Sequence, residues 1–286
     1  MFDVCVVGSA NLDRFATTAV FPRPGETVLG SAYAEHAGGK GLNQAIAAAR
    51  AGAHTAFVGA VGDDAVGDRL LDELAAAGVD LSSTRRFAAP TGRALVFVDK
   101  AGENSIVVVP GANALLEIGA LPPSAVVLVQ LEIPWSTVSA SLEIGRRAGA
   151  TTILNPAPAP TGRQHGNGAL GADIVVPNEH EAAALGGAAA LLAGGAGAVI
   201  TTAGAAGVQV VAGDDAWHQA AFPTEAVDTT AAGDAFCGAL AARVAAGDDL
   251  HAAVRFAAAA GALATTTRGA VPSLPHADAI EALLAR

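Results

Sequence analysis

Charged residues are scarce in this chain, and aromatic residues are scarcer still. Asp, Glu, Lys and Arg make up 15% of the 286 residues, and aromatic side chains make up 4%. The formal net charge is −11, which argues against a nucleic-acid backbone as partner. A phosphorylated small molecule stays compatible with this charge, because a local site can be positive in an acidic protein.

The chain also has few cysteines, no long apolar run and no basic segment at its start. Cys5 and Cys237 lack the spacing of metal ligands, and they do not suggest a disulfide. The histidines are scattered as well, which argues against a metal hydrolase. The longest apolar runs, such as residues 125–131, are too short to span a bilayer. We therefore expect a cytoplasmic protein with no signal peptide and no membrane partner.

What the chain does contain is a regular alternation of strand-like and helix-like segments. Apolar extended segments, separated by Ala-rich helical ones, lie at residues 2–7, 126–131, 151–155, 173–176 and 198–202. This alternation predicts an α/β fold, a doubly wound and mostly parallel sheet. We expect residues 1–286 to form a single domain. Two extended segments, about 14–37 and 91–110, would insert into it as a small β-strand lid.

The segment around Asp234 is the strongest candidate for chemistry. Residues 227–240 read Val-Asp-Thr-Thr-Ala-Ala-Gly-Asp-Ala-Phe-Cys-Gly-Ala-Leu. We interpret them as a strand end at Thr229 and Thr230, a turn of small residues, and a helix from Ala235. Free N–H groups and the positive end of the helix dipole would then form an anion site. Asp234 could cap this helix, or it could take a proton from a hydroxyl beside the site.

Two segments near the start of the chain carry further candidate ligands. Asn11 and Asp13 would share one face of an extended segment, where they could chelate neighbouring hydroxyls or simply form a turn. Residues 38–44 form a Gly-rich turn before a helix, but not a Walker A loop, because Lys40 is followed by Gly. In this turn Lys40 and Asn43 could face a ligand, or the turn could only start the helix.

Three later segments add to the candidates. Glu132 follows the strand predicted at residues 126–131. Asn178 and Glu181 have the spacing of a helix capping box, which competes with a ligand role for Asn178. Residues 203–207 are small, so phosphates or a flat ring could lie against their backbone.

Together these motifs resemble the ribokinase-like (PfkB) family of sugar and nucleoside kinases. Residues 228–234 are similar to the D-T-x-G/A-A-G-D signature of that family, and residues 38–41 supply Gly-Gly-Lys-Gly. The resemblance extends over nearly the whole chain, with further matches at residues 8–13, 24–27, 155–158 and 177–181. It implies a ribokinase-like fold whose lid pairs with the lid of a second subunit, so a homodimer is expected.

The resemblance also implies a role for individual residues. Asp234 would be the catalytic base, and the backbone amides of Ala232 and Gly233 would form the anion hole. Sugar binding is implied for Asn11, Asp13, Gly39, Lys40, Asn43, Glu132 and Asp234. An ATP site is implied at Asn178, Thr202, Gly204, Gly207 and Gly233. Glu181 would organise Mg²⁺ through water. A K⁺ ion is implied beside Asp228, Thr230, Ala264, Thr267, Gly269 and Ser273, several of them through backbone carbonyls.

The activity implied by the resemblance is ATP-dependent phosphorylation of the 5-hydroxyl of D-ribose. A nucleoside kinase, or a kinase for another sugar, is the alternative within the family. The low aromatic content slightly favours a bare sugar, because a nucleobase needs an apolar platform. A non-catalytic sugar- or nucleotide-binding protein is the alternative of another class. Loss of Asp234 or of the Gly-rich anion hole beside it would have indicated it, and both are present.

Three departures from the family pattern carry expectations of their own. Leu42 replaces the usual Ala and would change the fit around the sugar. Ala258 replaces a polar residue near the adenine and would loosen contacts to the base. The segment 186–197 is short and rich in Ala and Gly, so that flank of the nucleotide side would be trimmed.

Overall fold

A computed structural model describes residues 1–159 and 171–286 of the protein. In chain order its strands are β1 (Phe2–Val7), β2 (Asn11–Thr18), β3 (Gly30–Gly38), β4 (Thr55–Val58), β5 (Ala60–Gly62), β6 (Arg85–Phe87), β7 (Gly92–Val98), β8 (Asn104–Val109), β9 (Ser124–Gln130), β10 (Thr151–Asn155), β11 (Ile174–Val175), β12 (Ala198–Thr202), β13 (Val208–Ala212) and β14 (Asp215–Gln219). The helices are α1 (Lys40–Arg50), α2 (Ala65–Ala76), α3 (Trp135–Arg147), α4 (Glu179–Ala184), α5 (Gly187–Ala193), α6 (Ala232–Ala245), α7 (Leu250–Ala264), α8 (Ala270–Ser273) and α9 (Ala277–Leu284).

The large sheet has eight strands in the order β14-β13-β12-β11-β10-β9-β1-β4. The six strands from β12 to β4 run parallel, and β13 and β14 complete the sheet in antiparallel pairing. This confirms the predicted doubly wound, mostly parallel α/β sheet. From β1 the chain first adds β4 on one side and later β9 on the other. The strand order therefore reverses at β1, and open α/β sheets bind ligands at such a point.

Strand β1 shows why the sheet needs helices on both faces. Its residues Val4, Cys5, Val6 and Val7 are all fully buried. Val4 and Val6 pack in the core that includes α1, α6 and α7, whereas Cys5 and Val7 pack in the core that includes α3. A continuous apolar run is the pattern expected of a parallel strand buried on both faces.

Helices α1 and α6 approach each other closely because Gly238 has no side chain. A Cβ atom at Gly238 would lie 2.5 Å from Ala47 Cβ and 2.6 Å from the carbonyl oxygen of Gln44. The two helix backbones are therefore almost in contact. This close packing brings the first turns of both helices to the same edge of the sheet.

A separate four-stranded sheet, in the order β3-β2-β7-β8, is formed by the two segments that we predicted to be extended. We call it the small sheet. Strand β2 begins at Asn11, directly after β1, so this sheet starts earlier along the chain than residue 14. Every residue of its edge strand β8 is exposed.

Several predicted boundaries were wrong. Helix α1 begins at Lys40 rather than Ala45, and α6 begins at Ala232 rather than Ala235. Thr229 and Thr230 are not in a strand. The Asp228 side chain accepts hydrogen bonds from the Thr230 backbone and hydroxyl, at 2.9 and 2.6 Å, and this local turn replaces sheet pairing. Within residues 1–159 and 171–286, no helix combines the length and apolarity of a membrane span.

Candidate active site

Polar side chains from distant parts of the chain meet at the carboxyl ends of β1 and β9. Asn11 opens β2 just after β1, and Glu132 follows two residues after β9. Hydrogen bonds join Asn11 to Glu132, Glu132 to the first turn of α1, and α1 to α6. This edge lies at the reversal of strand order, so the fold itself creates the crevice.

Asp234 is the third residue of α6 and is 7% exposed. Its Oδ1 accepts a hydrogen bond from Gln44 Nε2 and its Oδ2 accepts one from Asn43 Nδ2, both at 2.9 Å. Burial raises the pKa of Asp234, while the charge of Lys40 and these two hydrogen bonds oppose the rise. Asp234 does not cap its helix, because Ala231 occupies the cap position and no side chain bonds there. The capping interpretation is therefore wrong.

The turn before α6 leaves an open helix start. Ala231 has a φ angle of 60°, in the left-handed region, and this directs the chain sharply into the helix. A Cβ atom at Gly233 would meet nothing within 4 Å, so there is room in front of the first helical turn. The Ala232 amide donates to Thr229 O at 3.3 Å, which is a long bond. A helix start with open space in front of it suits an anion.

Glu132 accepts hydrogen bonds from three residues on the β1 side of the crevice. Its Oε2 accepts hydrogen bonds from Ser9 Oγ at 2.5 Å, from the Lys40 amide at 3.0 Å and from Asn11 Nδ2 at 3.4 Å. Asn113 in turn donates from Nδ2 to Asn11 Oδ1 at 2.8 Å. The Asn11 amide is thereby held with its nitrogen toward Glu132.

Two further residues predicted to bind sugar, Asp13 and Lys40, have shifted pKa values. Burial raises the pKa of Asp13 to about 7, and the nearby Glu132 and Asp234 raise it further while Lys40 opposes them. Burial lowers the pKa of Lys40, but Asp234, Glu132 and Glu181 outweigh it, so the pKa of Lys40 is raised. Lys40 is therefore a protonated cation within a group of carboxylates.

Gly39 is the last of the residues predicted to bind sugar. It has a φ angle of 91°, and a Cβ there would lie 2.8 Å from the Asn11 nitrogen. Only glycine fits this position without strain. The structure thus brings together at one edge the seven residues predicted to bind sugar, and their roles stay predictions: Asn11, Asp13, Gly39, Lys40, Asn43, Glu132 and Asp234.

Four of the five residues predicted to bind ATP lie near the ends of β11 and β12, and the fifth, Gly233, lies in the first turn of α6. Asn178 and Glu181 form the predicted capping box of α4, with bonds of 2.8 and 2.9 Å, and Asn178 pairs with Thr202. Burial raises the pKa of Glu181, which also interacts with the charges of Lys40 and Asp234. Gly204 opens a short 3-10 turn. A Cβ at Gly207 would lie 2.4 Å from Gln219 O, so packing against β14 accounts for this glycine.

Asp228 forms hydrogen bonds with two other residues predicted to bind K⁺, Thr230 and Gly269. Its Oδ1 accepts from Thr230, and its Oδ2 accepts from the Gly269 amide at 2.9 Å. Burial raises the pKa of Asp228, but these bonds outweigh it and lower the pKa overall. Ser273 Oγ donates to Ala270 O, which leaves its lone pairs for another partner. Oxygen atoms of carboxylate, hydroxyl and carbonyl groups fit a hard cation.

The other two predicted K⁺ ligands lie at the end of α7, where Ala264 is its last residue and Thr267 is exposed. No hydrogen bond joins either of them to Asp228 within the described part of the chain. Nor do the described residues contain a cluster of three His, Cys, Asp or Glu side chains that could hold a metal ion.

Two of the three departures from the family pattern, Leu42 and Ala258, lie in the core. Leu42 is fully buried in the hydrophobic core and has no surface that a ligand could touch, which does not support a change around the sugar. Ala258 is also buried in that core. The segment 186–197 includes the short helix α5, whose Leu191 is fully buried.

Sequence reasoning missed five polar residues that support the site: Ser9, Gln44, Asn113, Gln130 and Asn155. All are buried and hydrogen-bonded. A signal was available for Gln130, because an amide at the end of a continuous apolar strand needs a buried partner. The sequence alone does not say which partner that is.

A carboxylate beside an open helix start, at the switch point of a doubly wound sheet, suits phosphoryl transfer to a hydroxyl group. The sequence model described as pfkB family carbohydrate kinase matches residues 1–277. The chain therefore belongs to the pfkB family of carbohydrate kinases, as its motifs predicted.

Individual relatives agree with this assignment. The chain is 38% identical to the ribokinase of Bacillus subtilis (strain 168) over 294 residues, which covers 99% of this chain and 100% of the relative. Its fold matches ribokinase from Thermotoga maritima with a TM-score of 0.90 and 35% identity, covering 100% of both chains. It also matches Arabidopsis thaliana ribokinase complexed with ribose and ATP, with a TM-score of 0.88, 32% identity and 98% coverage of both.

Proposed function

We propose that this protein is an ATP-dependent ribokinase that phosphorylates the 5-hydroxyl of D-ribose. The observation that carries the proposal is the position of Asp234, buried and held by two amides at the open start of α6. Similarity to ribokinases over the full length supports the choice of sugar.

In this proposal Asp234 removes the proton from the acceptor hydroxyl. Each of its carboxylate oxygens accepts one amide hydrogen, which leaves lone pairs for that hydroxyl. The backbone amides of Ala232 and Gly233 stabilise the charge on the transferred phosphoryl group. Phosphoryl transfer depends mainly on positioning and on such charge stabilisation.

The remaining crevice residues bind the sugar in this proposal. Asn11 and Asn43 supply amides, Glu132 and Asp13 supply carboxylates, and Lys40 supplies a cation. A polyhydroxylated ligand needs donors and acceptors in this mixture, because each sugar hydroxyl can both donate and accept. The backbone at Gly39 lets the ligand approach closely.

The nucleotide would lie along the ends of β11 and β12, beside Asn178, Thr202, Gly204, Gly207 and Gly233. Glu181 would organise Mg²⁺ through water, and the group around Asp228 would hold K⁺ together with Thr230, Ala264, Thr267, Gly269 and Ser273. When bound, these cations supply positive charge for the phosphates. The three charged side chains Glu181, Lys40 and Asp234 interact with one another, which is consistent with nucleotide and sugar meeting there.

The small sheet would serve as the lid of a single domain and as the contact with a second copy of this chain. Its edge strand presents Ile106, Val107, Val108 and Val109, each 45–53% exposed. An open, apolar edge strand is a liability unless something covers it.

The first experiment is an ADP-coupled assay with Mg²⁺ and K⁺ against D-ribose, 2-deoxyribose, fructose, adenosine, cytidine and pseudouridine. We expect a clear preference for ribose. Preference for a nucleoside or another sugar would refute ribose as the substrate but would still support phosphoryl transfer from ATP as the reaction. No turnover of any acceptor would favour a binding protein.

The base is tested with Asp234→Asn, which should lower kcat by about 10²–10⁴-fold while ribose binding persists in calorimetry. Asp249→Asn is the matched control, since Asp249 caps α7 through Ala252 and Asn caps equally well. An unchanged rate in Asp234→Asn would overturn the assignment of the base.

The dimer is tested by light scattering of Val107→Asp, which should be a monomer. Leu115→Asp is the control, because Leu115 is 46% exposed but lies outside the small sheet. A wild-type protein that is monomeric at micromolar concentration would contradict the proposed contact.

A further inference from the structure

Gln44 has no exposed surface, yet its side-chain amide lies directly behind the carboxylate of Asp234. Its Nε2 donates to Asp234 Oδ1 at 2.9 Å and to Asn155 Oδ1 at 3.0 Å. Its Oε1 accepts from Gln130 Nε2 at 2.6 Å. The amide therefore uses both of its N–H groups and its oxygen inside the protein.

The direction of these hydrogen bonds is fixed from the main chain. The carbonyl oxygen of Val176 can only accept, so it takes its bond from Asn155 Nδ2, at 2.8 Å. Asn155 must then present its oxygen to Gln44, which must present its nitrogen. A reversed Gln44 amide would place its oxygen against two acceptors, and such an arrangement is costly in a buried site. The chain of amides that begins at Val176 thus ends in an N–H aimed at Asp234.

We propose that Gln44 is a positioning residue for phosphoryl transfer, which fixes the orientation of the Asp234 carboxylate through the amide chain from Val176. The inference rests on the proposed function, in which Asp234 is the base. Apart from Asp234, Gln44 forms hydrogen bonds with none of the residues proposed to bind the sugar or the nucleotide. It acts only through Asp234, in contrast to the neighbouring Asn43, which is a proposed sugar ligand.

The same contact affects the charge of Asp234. The ionisable groups that interact electrostatically with this carboxylate are Asp13, Lys40, Glu132, Glu181 and Cys237. Burial raises the pKa of Asp234, and the hydrogen bond from Gln44 is one of the interactions that lower it. Loss of Gln44 should therefore raise this pKa, and the acidic limb of the kcat profile should move to higher pH.

The test compares Gln44→Met with Gln130→Met in the wild-type background. Gln44→Met should lower kcat by about 10–100-fold, shift the acidic limb upward and change the KM for ribose little. Gln130→Met removes the hydrogen bond to Gln44 Oε1 but keeps the bond from Gln44 to Asp234. The acidic limb of its kcat profile should therefore stay at the wild-type pH. Circular dichroism and thermal unfolding are the measurements that test whether each variant is folded.

A folded Gln44→Met variant with wild-type kcat and an unshifted acidic limb of the kcat profile would overturn the inference. Equal losses of kcat in both variants, without a shift of the acidic limb, would also overturn it. If Gln44→Met does not fold, Gln44→Glu keeps the side-chain volume and places a second acid beside Asp234. Its limb should also move upward, and an unmoved limb at wild-type kcat would again refute the role. Failure of the proposed function is distinct, because the wild-type protein itself would then not phosphorylate ribose.

Discussion

Gly238→Ala tests whether the spacing of α1 and α6 positions the candidate base. The added Cβ would lie 2.5 Å from Ala47 Cβ, 2.6 Å from Gln44 O and 2.7 Å from the Ala48 nitrogen. Two of these three atoms belong to the backbone, so no side-chain rotation relieves the overlap. Because carbon atoms are best separated by about 3.5–4.0 Å, the helices must move apart by roughly 1 Å.

This displacement should affect both stability and catalysis. Overpacking of this kind costs about 1–3 kcal/mol, and the better helix propensity of Ala returns about 1 kcal/mol. We therefore expect urea denaturation to show a net loss of up to about 2 kcal/mol. The bonds from Asn43 and Gln44 to Asp234 cross between the same two helices. A misplacement of about 1 Å at such a site lowers kcat by about 10²-fold.

Gly145→Ala in α3 is the matched control. Its new Cβ would meet only side-chain atoms, Val127 Cγ2 at 3.0 Å and Thr152 Cγ2 at 3.2 Å. Val127 packs in the core that includes α3 rather than in the one that includes α1 and α6, so kcat should stay at the wild-type level. A folded Gly238→Ala enzyme with unchanged kcat would refute the reasoning that helix spacing places the base.

Three further predictions concern strain, charge and cations. Ala231→Gly should raise the unfolding free energy by roughly 0.5–1 kcal/mol in urea denaturation, because glycine adopts a left-handed backbone without the strain that alanine has there. A loss of stability would contradict the presence of this strain. Wild-type unfolding free energy should fall as pH rises from about 4 to about 7, because the folded state keeps the Asp13 proton that the unfolded chain has lost. Asp13→Asn should remove this component, and an identical pH slope would refute it. Replacing K⁺ by tetramethylammonium should lower kcat in the coupled assay, and indifference would mean that no cation acts beside Asp228.

The sequence by itself determined the sheet and its main strands. The runs Phe2–Val7, Thr151–Asn155 and Ala198–Thr202 were predicted with the bounds that the structure shows. Short segments rich in β-branched and apolar residues, bounded by turn residues, are typical of strands covered on both faces, so their position depends little on the rest of the chain. The capping box of Asn178 and Glu181 was also predicted from spacing, because its bonds join residues three apart.

Only the tertiary structure decided which polar groups meet. Gln44 and Asp234 are 190 residues apart, and Asn113 and Asn11 are 102 apart. No local pattern encodes such a pairing, because it depends on how closely α1 and α6 pack at Gly238 and on where the small sheet joins β1. Asp228 likewise bonds Gly269, 41 residues away. That bond helps to hold Thr229 and Thr230 in a turn, although their β-branched side chains favour a strand.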